Sequence, residues 1–307
     1  MASLPAFDST TASAPLNEAA DAYDAVGDAY LRYADGDARA LFEFSSRYGF
    51  ADREIWRRID AELVSIRSSG RTSIRIVDAG CGPGTWLLRC ALRARALGFT
   101  AVEGLGFDIS PAMIDLAVKG RAALNDAAIK LDFTVADITD GLIAEKSADI
   151  VLCLYGVLNH LPVSQHQVVA SQLAHAGRSL FVTVRTIGSL PSIFIAGIEQ
   201  ARDFHQDNER DRLEIDLVDG RHIEFPSHLF AADEFQALFA TYGYVVERTG
   251  LDLFHGRFAP DHRWNPEGMA DTAFREALER LEHLCANDPC FLDRAAHVLL
   301  HVRGRQE

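Results

Sequence analysis

Three glycines within five residues, in the run Val77-Asp78-Ala79-Gly80-Cys81-Gly82-Pro83-Gly84-Thr85-Trp86, constrain this chain more than any other feature. The run follows the β-rich Ile74–Val77 and opens a helix expected from about Thr85 to Leu97. Bare of Cβ atoms, a main chain of this kind can take positive φ angles and let a ligand lie against it. A dinucleotide fingerprint needs glycines at the first, third and sixth positions; counted from Gly80 they stand at the first, third and fifth, with Thr85 sixth. No Lys-Ser or Lys-Thr follows the last glycine, so a P-loop is excluded.

The strand-then-helix unit recurs. Val102–Asp108 leads to a helix that starts at Pro111 behind the capping residue Ser110. Leu131–Val135, Ala148–Leu154 and Ser179–Val184 read as further strands, with a helix over Ser164–His175 between the last two. Alternation of this kind predicts right-handed crossovers and an α/β fold, a doubly wound, mostly parallel seven-stranded sheet with helices on both faces.

Residues 1–17 read as a mobile leader and 18–70 as a helical N-terminal cap, in which Tyr23, Tyr30, Tyr33, Ile55, Trp56, Ile59 and Leu63 recur at helical spacing. Residues 71–307 form the α/β domain, interrupted by an insertion at about 188–230. There a helical stretch near Pro191–Phe204 precedes a two-stranded ribbon, Leu213–Val218 and Arg221–Phe225, joined at Asp219-Gly220, and the insertion is a candidate lid. Helix Ala232–Tyr242, strand Tyr244–Thr249, helix Asp271–Cys285 and strand His297–Val302 complete the chain.

A net charge of −14 leaves no surplus of Lys and Arg to neutralise phosphates, which disfavours a nucleic-acid substrate. Five cysteines without paired short spacing read as free thiols, and no metal is expected. With neither a signal core nor a membrane-length apolar run, the expectation is a cytoplasmic protein that binds no membrane; a homodimer is left open.

The segment Val77–Trp86 resembles motif I of class I S-adenosylmethionine-dependent methyltransferases, an acidic residue followed by Gly-x-Gly-x-Gly, and the likeness extends over roughly Ile74–Val184. It implies that the main chain of Gly80, Cys81 and Gly82 lines the methionine moiety of S-adenosylmethionine, with Asp78 near its amino end. An acidic side chain there suits a sulfonium and an ammonium and would repel a pyrophosphate. Asp108, which ends the second strand, resembles the acid that holds both ribose hydroxyls. Asp137 and Ile138 resemble the adenine-binding turn, with Ile109 and Met113 on the other face of the ring.

The fourth strand and its successor, Ala148–Leu161, resemble the segment that faces the donor methyl in small-molecule methyltransferases. They lack the Asn/Asp-Pro-Pro-Tyr motif of enzymes that methylate DNA and protein amines. Leu154 is therefore expected beside the cofactor, and Tyr155, Asn159, Tyr23 and Tyr30 near a small-molecule acceptor. His160 is the candidate general base. The implied reaction is in-line methyl transfer that releases S-adenosylhomocysteine and needs proximity more than acid-base chemistry. An NAD(P)-dependent oxidoreductase and a catalytically silent cofactor-binding module are the alternatives.

Overall fold

The computed structural model describes residues 18, 20, 41–44, 48–141, 147–189, 201–217, 219–259, 261–266 and 272–304. Helix α1 (Gly49–Ser68) carries Ile55, Ile59 and Leu63 along one stripe, all fully buried against the sheet. Each such side chain contributes about 2 kcal/mol of apolar burial. The chain then alternates β1 (Ser73–Ala79), α2 (Thr85–Ala96), β2 (Ala101–Asp108), α3 (Pro111–Ala122), β3 (Ile129–Val135), β4 (Ala148–Cys153), α4 (Val163–Ala176) and β5 (Gly177–Arg185). Ser110 caps α3 by accepting from the Met113 amide at 3.2 Å, ahead of Pro111 in the first turn.

After β5 come β6 (Ala201–Asp207), β7 (Arg212–Leu217), β8 (His222–Pro226), α5 (Ala232–Ala240), β9 (Gly243–Leu251), α6 (His255–Phe258), α7 (Thr272–Cys285), α8 (Pro289–Leu292) and β10 (His297–Gly304). Seven strands form one sheet in the order β3-β2-β1-β4-β5-β10-β9, parallel except where β10 runs against both its neighbours. Side chains alternate between its faces. Ile150, Leu152 and Leu154 pack towards α1 and α2, while Val151 and Cys153 pack with α4 and α5.

Two expectations are corrected. The insertion is a three-stranded antiparallel sheet, β6-β7-β8, and not a two-stranded ribbon. Residues 201–204, read as the end of a helix, belong to β6, an edge strand whose backbone bonds come from β7. Tertiary pairing here overrides a polar local pattern that carries little strand signal of its own. Leu213, Ile215, Leu217 and Phe225 give this small sheet its own apolar cluster, and Gly220, at φ +90°, makes the expected turn. The second strand begins one residue earlier than the sequence suggests, with Ala101, Val102 and Glu103 in register with Ser73, Ile74 and Arg75 of β1. Among the described residues no helix is long and apolar enough to cross a membrane.

Candidate functional site

The strand order reverses between β1 and β4, which places a crevice at their carboxyl ends, the usual ligand position in an open α/β sheet. The glycine turn forms its floor. Gly80 and Gly82 adopt φ +70° and +51°, and a Cβ on Gly80 would come within 2.3 Å of Val157 Cγ2. Only glycine lets the turn after β4 seat against the turn after β1.

The amides of this floor are turned inward. Gly80 and Cys81 both donate to the Phe107 carbonyl, at 2.8 and 2.9 Å, and Gly82 donates to Asp108 Oδ2 at 2.8 Å. A pyrophosphate would need those donors. Burial pushes the Cys81 thiol far up, so this residue offers main chain and no thiolate chemistry.

Two adjoining cavities flank the floor. The first, about 710 Å³, is walled by Asp108, Ile109, Met113, Asp137 and Ile138, residues singled out in the sequence. The Ser110 amide bonds Asp108 Oδ1 at 2.9 Å while the Gly82 amide holds Oδ2, so the carboxylate is fixed in orientation. Asp137 Oδ1 accepts from both the amide and the hydroxyl of Thr139 at 2.8 Å, capping the short turn Ile138–Asp140.

The second cavity, about 580 Å³, lies on the α1 side and shares Gly80, Gly82, Leu154 and Tyr155 with the first. Into it face Asp78 and Thr85, and from α1 Tyr48 and Asp52. Asp78 is 2% exposed, and its Oδ2 has no hydrogen-bond partner among the described residues; the same holds for Thr85 Oγ1. Burial, reinforced by the neighbouring Asp108 carboxylate and partly offset by the Leu87 amide, pushes Asp78 up to about 8. Arg89 contributes from α2, its guanidinium lying 4.4 Å from the Trp86 ring centroid and 4.7 Å from that of Phe44.

Beyond the end of β4 the outcome is mixed. Tyr155 lies at the junction of the cavities. Asn159 does not face them, which corrects its assignment to the acceptor: it is fully buried, its amide nitrogen donates to the Arg185 and His228 carbonyls, and its Oδ1 accepts from the Arg185 amide. An amide so committed has nothing to offer a substrate.

His160 borders the first cavity, but its Nδ1 lies 2.9 Å from the Pro226 carbonyl, to which it donates, tying the β4 turn to β8. Burial lowers it to about 4, against the Pro226 bond and with the help of Arg185. A base that weak accepts protons poorly at neutral pH. Tyr23 and Tyr30 lie outside the described residues.

Sequence reasoning missed Tyr48, Asp52, Thr85, Trp86 and Arg89 as wall residues. Two signals were available. Asp52 interrupts the apolar stripe that continues through Ile55, Ile59 and Leu63, and Arg89 shares a helix face with Thr85 and Trp86 directly after the glycine turn.

Residues 76–178, about a third of the chain, match the methyltransferase domain family. Over these residues the chain is similar to a methyltransferase domain, and its sheet order is that of a Rossmann-like α/β fold. No curated protein sequence matches the chain.

Solved structures similar to it include an S-adenosylmethionine-dependent methyltransferase from Clostridium acetobutylicum, at 10% identity and TM-score 0.48, covering 82% of this chain and 92% of that one. The CcbJ methyltransferase from Streptomyces caelestis is similar at 13% identity and TM-score 0.48, over 80% and 90% of the two chains. An S-adenosylmethionine-dependent methyltransferase from Mesorhizobium loti is similar at 18% identity and TM-score 0.41, over 75% and 90%.

Proposed function

We propose that this protein transfers the methyl group of S-adenosylmethionine to a small-molecule acceptor by in-line displacement. The observation that carries the reading is the polarity of the crevice. The Gly80, Cys81 and Gly82 amides are spent internally, and beside them stand two acidic side chains, Asp108 and Asp78, the latter with an Oδ2 that has no hydrogen-bond partner among the described residues, with Arg89 on the wall of the second cavity. Such a surface favours a cation and disfavours a pyrophosphate, so the site residues fit the sulfonium donor and not a nicotinamide dinucleotide.

Bound S-adenosylmethionine supplies an already activated methyl group. Asp108 would hold its ribose, and Asp137, Ile138, Ile109 and Met113 its adenine. Asp78 would hold the ammonium, beside the Gly80–Gly82 main chain. The protein's remaining work is to orient the acceptor and exclude water, which is catalysis by proximity.

A small acceptor is supported by the net charge of −14, unsuited to nucleic acid. Glu18 forms an ion pair with Arg212 of β7 at 2.9 Å. Titration calorimetry with S-adenosylmethionine and, separately, NAD tests the reading. Micromolar binding of the first and none of the second is expected, and the reverse would overturn it.

A further inference from the structure

Tyr155 is the residue at which the two cavities meet, and it is held there under strain. Its φ is +59°, a conformation that is unfavourable for a non-glycine residue and persists only where surroundings impose it. Its amide donates to Thr183 Oγ1 at 2.6 Å. Its ring packs against Tyr48, Trp86 and His297, with centroids 6.1, 6.3 and 5.4 Å away. Its hydroxyl donates to Asp52 Oδ1 across the cleft, from the end of β4 to α1. Strand end, neighbouring strand and roof helix all bear on the placement of one phenol.

A phenol has one proton and two lone pairs. With the proton given to Asp52, which lines the second cavity, the oxygen has only lone pairs left to offer. Burial first, then the Asp52 and Asp252 carboxylates, opposed by Arg89, push the hydroxyl well above its ordinary value, so the phenol remains neutral.

We propose that Tyr155 determines acceptor specificity, its oxygen receiving a hydrogen bond from the reacting atom, so that the acceptor is an amine or hydroxyl compound whose nucleophile carries an N–H or O–H. Asp52 is the positioning residue, acting through Tyr155. A carbon nucleophile or a tertiary amine has no such hydrogen to offer and is disfavoured. The inference rests on the reading of the site as a methyl-donor site.

The test places a donor group where the methyl would stand. Calorimetry compares S-adenosylhomocysteine with sinefungin, the donor analogue in which C–NH3+ replaces S–CH3, on the full chain and on Tyr155→Phe and Asp52→Leu. In Tyr155→Phe the preference for sinefungin over S-adenosylhomocysteine is expected to fall roughly tenfold, the equivalent of one charge-assisted hydrogen bond, while S-adenosylhomocysteine binds within about twofold of wild type.

In Asp52→Leu the freed hydroxyl can turn its proton into the cavity, and the same preference falls, a change in ratio that a packing role alone would not produce. An unchanged ratio in Tyr155→Phe overturns the assignment even if Asp52→Leu does not fold. If the wild-type chain binds neither nucleoside, the donor reading fails first and takes the assignment with it.

Discussion

The two cavities on either side of the glycine turn were built by different means. The first draws its wall from short stretches directly after β2 and β3, in which Asp108, Ile109, Asp137 and Ile138 sit next to the strands that present them. The second is assembled across the fold: Tyr48 and Asp52 come from α1, Asp78 from β1, Arg89 from α2 and Tyr155 from the end of β4. A wall made of local turns is fixed by backbone geometry, whereas one made of distant elements depends on how they pack. On the proposed reading the local wall would hold the nucleoside, and the assembled wall would meet the methionine moiety and the acceptor.

The sharpest way to break the contrast is Asp78→Asn, which removes a carboxylate whose Oδ2 has no hydrogen-bond partner among the described residues. S-adenosylmethionine affinity should fall on the order of 100-fold by calorimetry, the value of a buried charged hydrogen bond. At neutral pH the ligand-free protein should melt several degrees higher, because folding no longer has to protonate a group that is ionised in the unfolded chain. A variant that binds the donor normally would remove Asp78 from the site.

Next in size is Asn159→Ala, which strips partners from the Arg185 amide and carbonyl and from the His228 carbonyl. Denaturant unfolding should show a loss of about 2–3 kcal/mol. Donor affinity in the folded fraction should be unchanged, since the residue braces the β4 turn without facing either cavity.

The pH dependence is smaller and follows from the raised Asp78. Its folded value of about 8 lies above its ordinary value, so the free protein keeps this proton at neutral pH and a cationic ligand must displace it. Affinity for S-adenosylmethionine should decline by up to about tenfold per pH unit from about pH 8 down to about pH 6. Binding should also release a proton, seen as a heat that varies with the ionisation enthalpy of the buffer. No such dependence is expected for Asp78→Asn.

For the ligand-free protein the sign is opposite. The Asp78 contribution to stability is fully present below about pH 4 and is lost as pH rises towards 8. The smallest effect is expected from His160→Gln, which can still donate to Pro226: methyl transfer within about threefold of wild type. A loss beyond about 100-fold would restore His160 as the general base.

The same division explains what the sequence disclosed. Asp78, the glycines, Asp108 and Asp137 were legible because each lies within a few residues of a strand end, where local spacing dictates position. Asp52 and Arg89 were not, since an acid on an apolar stripe and an arginine early in a helix gain meaning only when α1 and α2 pack over the sheet. Asn159 misled for the complementary reason. Proximity in sequence to the methyl-facing strand end implied the cleft, but the short turn Val157–His160 rotates its amide towards β5 and His228. In the insertion the ribbon was visible through Asp219-Gly220, but β6 was not, because an edge strand can borrow its order from its neighbour.

The contact between Gly80 and Val157 couples positions 77 residues apart in the chain as tongue and groove. Any side chain at 80 must evict the valine, and trimming the valine to alanine would leave a void against bare backbone at the centre of the crevice. Efforts to enlarge the cleft for bulkier acceptors would therefore do better to work outward from the roof, where Tyr48 and Asp52 stand, than from this interlocked floor.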